Sequence, residues 1–169
     1  MLNTFHFFAF KQIMANLKLK LVIPERTLFD EAVDSVSCPT VQGQITVLPH
    51  HAPLIAALQP GEMIVRSAGN TRHLAILGGF VEVRPGNANG NQVVILADDA
   101  EHAEEIDAQE AEAAMSRAEE LMKQRRHVMT EEEYAAARVA FQHHTIRAKL
   151  ARMGHHRTQN ITSRGTLHE

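Results

Sequence analysis

The chain has 169 residues, of which 44% are hydrophobic and 22% charged, so it is long enough for one ordinary globular domain or two small ones. A formal net charge of −3 removes the global electrostatic case for nucleic-acid binding. No apolar run approaches the ~20 residues that a membrane-spanning helix needs, and the single cysteine, Cys38, excludes an internal disulfide and fits a reducing compartment.

Residues 1–14 read as a leader or disordered extension. Phe5, Phe7, Phe8 and Phe10 hold four of the seven phenylalanines. Lys11 follows them, and neither a basic n-region nor a small-residue cleavage site is present, so a secretory signal fits poorly. Met14 offers a second beginning, MANLKLKLVIPERTLF. A start-site artefact or disordered tail is the preferred reading, and a short aromatic arm that docks on a partner is its competitor.

Residues 15–97 carry the punctuation of a β domain. Leu17, Leu19, Leu21 and Ile23 alternate with Lys18, Lys20 and Val22, which makes one face apolar, and Pro24 ends the run. Further β-prone stretches lie around Thr27–Phe29, Val33–Thr40, Gln44–Leu48, Met63–Ser67, Arg72–Leu77, Phe80–Arg84 and Gln92–Leu96. Gly, Pro and Asn separate them, as at Pro60-Gly61, Gly69-Asn70, Gly78-Gly79 and residues 85–90. Many short strands with such turns predict a sandwich or barrel. Ala52–Leu58 is ambiguous between a strand and a helical turn.

At Asp98 the character changes. Residues 98–153 contain neither proline nor glycine and are rich in alanine. The acidic run Asp98–Asp107 reads as a solvated linker and helix start. Asp107 followed by Glu110 has capping-box spacing and predicts a helix from about Ala108. Thr130 followed by Glu133 is a cleaner capping box and opens a second helix. Lys123, Arg125, Arg126 and His127 suit the negative end of the first helix, and Arg147, Lys149 and Arg152 that of the second. Gly154 is the expected C′ stop. An antiparallel two-helix hairpin over 98–154 follows, with 155–169 as a polar, disordered tail.

The expected contact faces of this hairpin are thin: Ala111, Ala114, Ala118, Leu121 and Met122 against Tyr134, Ala137, Phe141, Ala148 and Ala151. Small residues bury little area at roughly 0.8 kcal/mol per CH₂, and alanine favours each helix even alone. This suits a hairpin that opens without melting, although an ordinary hairpin that never opens has the same sequence.

Candidate chemistry is sparse. Neighbouring histidines on a strand point to opposite faces, so His50-His51 is a poor metal pair. His143-His144 and His155-His156 are poor for the same kind of reason, because helical metal pairs sit at i, i+4. Cys38 at an alternating strand position reads as a small core hydrophobe. The chain lacks GxSxG, GxxxxGK[ST] and GxGxxG, and Gly78-Gly79 reads as a strand-linking turn.

The order of segments is the most specific signal. LVIPERTLFDEAVDSV, PTVQGQITVLPHHAPLIAALQPGEMIV, LAILGGFVEVRPGN and VVILADDAE together resemble the epsilon subunit of bacterial F-type ATP synthases over roughly residues 15–153. The resemblance implies a ten-stranded β-sandwich followed by a C-terminal antiparallel two-helix hairpin. It implies a non-catalytic rotor subunit, without cofactor or metal, peripheral on the cytoplasmic face of the inner membrane. Its partners would be the gamma subunit, the membrane ring and, with the helices extended, the alpha/beta catalytic head, where the helices block ATP hydrolysis.

By the resemblance, Gln44, His50, His51 and Pro53 belong to the loop that faces the ring. Gln44 replaces the family's usual Glu, and His50 its usual Gly or Asn. One carboxylate is therefore lost and a titratable imidazole gained. Arg138, Arg147, Lys149 and Arg152 would face the acidic segment of the catalytic subunits, with helix-end compensation and solubility as the competing explanation. The family's ATP motif, [IL]-D-x-x-R-A, is degenerate here as Ile106, Asp107, Glu110 and Ala111. Glu110 stands where the arginine would be and would repel phosphates, so weak or no ATP binding is expected. Two readings from other classes are a β-domain adaptor with a helical arm unrelated to the synthase and a metal-dependent hydrolase built on the histidines.

Overall fold

Leu17, Leu19 and Leu21 are buried and alternate with more exposed residues, so the first segment forms a strand with one face in the core, β1 (Leu17–Val22). A computed structural model describes residues 17–86, 90–125 and 128–162, with side chains described as far as Met153. The expectations for residues 1–14, and for the tail beyond Thr162, lie outside the described residues. Nine further strands follow: β2 (Thr27–Val33), β3 (Ser35–Thr40), β4 (Gly43–Val47), β5 (Leu54–Leu58), β6 (Gly61–Ser67), β7 (Asn70–Ile76), β8 (Gly79–Arg84), β9 (Asn91–Ala97) and β10 (Ala100–His102). Helices α1 (Ala108–Arg125) and α2 (Glu131–Thr162) complete the chain.

The strands form one curled ten-stranded sheet in the order β10-β7-β6-β3-β5-β8-β9-β1-β2, with β4 added to β3. The β1–β9 pair is parallel, with Leu19 opposite Val93 and Leu21 opposite Ile95. The pairs β1–β2, β3–β4, β3–β5, β3–β6, β5–β8 and β8–β9 are antiparallel. Alternate residues of β1, β6, β8 and β9 fill the interior, among them Met63, Val65, Val81, Val93 and Ile95. Strand β3 is buried along its whole length, which the reading of Cys38 as one alternating inward position understates. Its hydroxyls are satisfied locally: Ser37 Oγ lies 2.9 Å from Thr46 Oγ1, and Thr40 Oγ1 donates to the Gly43 carbonyl at 2.6 Å.

Three local expectations change. The stretch Val33–Thr40 is broken at Asp34, whose amide donates to the Arg66 carbonyl and whose carboxylate accepts from the Ala68 amide at 2.9 Å. Ala52–Leu58 resolves into β5, because its inner positions face Val81 and Val83 of β8. The acidic run is more than a linker: it contains β10, and Ala103 and Ile106 within it are buried.

The chain divides into two units, residues 1–72 with 76–100, and residues 73–75 with 101–169. In the second unit Asp107 caps α1, its Oδ1 accepting the amides of Gln109 and Glu110 at 2.8 and 2.9 Å. No return bond from Glu110 occurs among the described residues, so the capping-box role expected of Glu110 is replaced by a single-residue cap. At α2 the box is complete: Thr130 Oγ1 accepts from the Glu133 amide, and Glu133 Oε2 from the Thr130 amide. Helix α2 does not stop at Gly154 but runs to Thr162, which makes residues 155–162 helical instead of a disordered tail. Glycine costs about 1 kcal/mol inside a helix and does not by itself end one.

The apolar centre of this unit is small, as expected. It comprises Ala75, Ala103, Ile106, Ala111, Ala148, Leu150 and Ala151, with Ala108, Met115, Ile146 and Met153 packed against it. Leu150 was absent from the expected contact face, and Leu121, which was on it, is 42% exposed. Towards the connection between the helices the seam opens, leaving a groove lined by Leu121, Val128, Met129 and Ala137.

Candidate interaction surfaces

The residues assigned to a ring-facing loop occupy two places. Gln44 is exposed near the start of β4, opposite Pro39, and the loop of residues 48–53 leaves the far end of that strand. Within that loop the His51 amide donates to the Leu48 carbonyl at 3.1 Å, closing a turn with Pro49 and His50 at its centre. His50 has φ +66°. Proline first and a positive φ second define a type II turn, whose second central position favours Gly or Asn. The family's Gly or Asn at this position thus has a conformational reason, and histidine is among the residues that tolerate the left-handed region.

The two histidines diverge. His50 is exposed, whereas His51 is half-buried, with Nδ1 2.8 Å from the Ala52 carbonyl and its own carbonyl accepting from Asn91 Nδ2. Pro53 is exposed beside them. Among the described residues, no group of three or more His, Cys, Asp or Glu side chains is placed to hold a metal. Cys38 is buried, and burial pushes its thiol up to about 12, so it is not a nucleophile.

An apolar stripe on the outer face of the sheet went unnoticed in the sequence. The Val41 amide donates to the Ala57 carbonyl, Ala57 is opposite Phe80, Phe80 opposite Leu96, and Leu96 opposite Val22. Ile55 lies on the same face of β5 two residues before Ala57. Val41, Ile55, Phe80 and Leu96 are each more than half exposed. Scattered exposed apolar residues need no explanation, but a contiguous row across neighbouring strands is a candidate interaction surface. A signal was available in β8: within GFVEVR, the alternation that buries Val81 and Val83 places Phe80 on the polar face beside Glu82.

The four basic residues of α2 fall into two groups. Lys149 and Arg152 come eleven and fourteen residues after Arg138, close to whole numbers of helical turns, so these three share a face. Arg147 lies on the other side. It grips Glu101 with two hydrogen bonds, Nε to Oε2 at 2.8 Å and an Nη to Oε1 at 3.3 Å, in a half-buried pair. Arg152 Nε reaches Glu112 of α1 at 2.7 Å. Arg138 and Lys149 are exposed, without an ion pair among the described residues.

The degenerate nucleotide motif is occupied by structural duties. Ile106 and Ala111 are buried in the hairpin core, Asp107 caps α1, and Glu110 points outward. A carboxylate at an exposed helix N-terminus is favoured by the dipole but repels a phosphate.

A sandwich with an exposed apolar stripe and a helical arm define a subunit that works by docking on partners. The chain matches the family model "ATP synthase, Delta/Epsilon chain, beta-sandwich domain" over residues 16–103. It is 41% identical over 141 residues to the ATP synthase epsilon chain of Herpetosiphon aurantiacus, covering 83% of this chain and 98% of that one. It is 49% identical over 109 residues to the epsilon chain of Dehalococcoides mccartyi, covering 64% and 74%. A chain in the mitochondrial ATP synthase of Euglena gracilis, solved as an OSCP/F1/c-ring assembly, superposes with TM-score 0.63 at 25% identity over 76% of both chains. The chain therefore belongs to the ATP synthase epsilon-chain family, and it is a non-catalytic member of a catalytic complex.

Proposed function

We propose that this chain is a central-stalk subunit of an F-type ATP synthase, docked through its β-sandwich on the gamma subunit and the membrane ring. The match to an epsilon chain over nearly its whole length carries the reading, because it spans the helices as well as the sandwich. The apolar stripe supplies a surface of the kind a stable stalk needs. Among the described residues no helix is long and apolar enough to cross a membrane, and attachment through ring and stalk gives a peripheral position on the cytoplasmic face. Gln44, His50, His51 and Pro53 are the proposed ring-side residues. The test is co-purification of gamma and ring subunits with the tagged chain. Phe80→Ser combined with Leu96→Ser should leave the sandwich folded and remove gamma from the eluate. Retention of gamma by a folded double variant overturns the docking surface.

The second part of the proposal is that the helices restrain ATP hydrolysis by leaving the hairpin and extending into the catalytic head. The small hairpin core supports this, because few apolar contacts oppose opening. At ~1.5 Å per residue α2 would be about 48 Å long, enough for such reach. Removing residues 104–169, which keeps β10, should leave assembly intact and raise hydrolysis, and unchanged hydrolysis in the truncated complex removes the inhibitory role.

A further inference from the structure

On α2, Ala137, His144 and Ala151 recur at intervals of seven, and Ala148 follows His144 by four. All three alanines are buried in the hairpin, so His144 occupies the middle of the stripe that faces α1. It is the one polar residue in that row. The ring is only partly covered, but its Nδ1 is sealed from solvent and has no hydrogen-bond partner among the described residues.

This arrangement distinguishes the two charge states of the ring. A neutral imidazole with its N–H elsewhere leaves Nδ1 an unpaired acceptor at modest cost, whereas an imidazolium places an N–H there and adds the larger cost of an unpaired charged donor. The closed hairpin offers no acceptor to Nδ1. The surrounding charges point the same way: Arg147 and His143 on α2 and Arg117 on α1 oppose a proton on His144, and Glu110 on α1 alone favours it. The Glu101 carboxylate is already gripped by Arg147.

We infer that His144 is a pH sensor in the hairpin seam, holding the two helices together when neutral and releasing α2 when protonated. Burial first, then Arg147, His143 and Arg117, depress its affinity for a proton below the ordinary value of 6.5 in the closed hairpin. The open hairpin exposes the ring to water and restores that ordinary value. Between the two, the open form binds more protons, so closure weakens as pH falls. Closure is unaffected above about 6.5, weakens through that value, and reaches its limit below the closed-state value. The thinness of the core lets one such group matter. The switch would place the helical arm under control of the local pH, and it stands independently of what the released arm binds.

The full chain, alone in solution, provides the test. Cys38 is buried and inert, so probes attach selectively to engineered cysteines at two exposed sites, Ala113→Cys on α1 and Gln142→Cys on α2. Energy transfer between the probes reports the closed fraction from pH 8 to pH 5. The ratio of open to closed hairpin should rise as the pH falls through this range. His144→Gln should flatten the profile, and His143→Gln, on the neighbouring face, should make it shallower without flattening it. His144→Phe, which keeps the seam filled, is the second neutral variant should the glutamine loosen the hairpin. A pH-independent wild-type profile overturns the proposal, as does a wild-type response that persists in both His144 variants. Neither result bears on stalk docking, which is read by co-purification.

Discussion

Leu150→Ala probes how little holds the hairpin shut. Leu150 is 1% exposed and is, with Ile106, one of the two large side chains in a cluster otherwise made of alanine. Removing three carbons forfeits about 2.4 kcal/mol of transfer free energy at ~0.8 kcal/mol per CH₂. A residual cavity adds ~24 cal/mol per Å³, and alanine neighbours are too short to fill it. A total of about 3 kcal/mol corresponds to roughly a hundredfold rise in the open-to-closed ratio. Amide hydrogen exchange measures this, because amides of a helix without its packing partner fray and exchange faster than those of a packed one. Amides of α1 and α2 should lose about two orders of magnitude of protection while those of β1 and β9, in the other unit, stay unchanged. Leu121→Ala, at a position 42% exposed, should change hairpin exchange less than threefold. Equal effects of the two variants would refute the assignment of the core to the end of the hairpin near Ile106.

His50→Gly should be neutral or stabilising, and His50→Val should cost about 1–2 kcal/mol, because a β-branched residue resists the left-handed turn position; urea midpoints of the full chain read both. Gly79→Ala should prevent the sandwich from folding normally: its φ is +107°, and a Cβ there would lie 2.0 Å from the Leu96 carbonyl oxygen. A soluble Gly79→Ala chain with native circular dichroism and melting would contradict that. Thr130→Ala should cost α2 about 1 kcal/mol through loss of its cap, seen as faster exchange of the first-turn amides. Isothermal titration of ATP into the full chain should show no micromolar binding, because Glu110 takes the place of the motif's arginine.

Strands such as β1 were legible because they have one buried and one exposed face, so the alternation of Leu17, Leu19 and Leu21 is written directly in the sequence. Strand β5 was not, since Ala56 and Ala57 lack the contrast that alternation needs. Strand β10 was hidden because its few residues sit in an acidic run that resembles a solvated linker. The apolar stripe was invisible because its rows run across strands that are distant in sequence, and only the strand order brings Val41, Ala57, Phe80 and Leu96 together. The division of Gln44 from His50 also depends on tertiary geometry: the strand residues Ile45, Thr46 and Val47 separate what a motif reads as one loop. The helix caps were local and were read correctly at Thr130, whereas Gly154 misled because glycine permits a helix end without requiring one.

The basic residues of α2 were open to two explanations, and helix-end compensation fails, because α2 runs on to Thr162 and has no basic residue in its last turn. In the closed hairpin Arg147 is bound to Glu101, and Arg152 to Glu112. Both are thus occupied by partners that a released helix would leave behind, whereas Arg138 and Lys149 are exposed in the closed state. The proposed contact with an acidic partner in the catalytic head therefore competes with the contacts that close the hairpin. Arg152–Glu112 is an exposed pair and contributes little. Arg147–Glu101 is better covered and doubly hydrogen-bonded, so it carries most of this opposition. Its position three residues beyond His144 places the same guanidinium in both devices: it holds α2 closed through Glu101 and raises the cost of a proton on the ring. Arg147→Met should therefore loosen the hairpin at neutral pH and reduce the steepness of its response to acid. Loosening without a shallower pH profile would show that the two act separately.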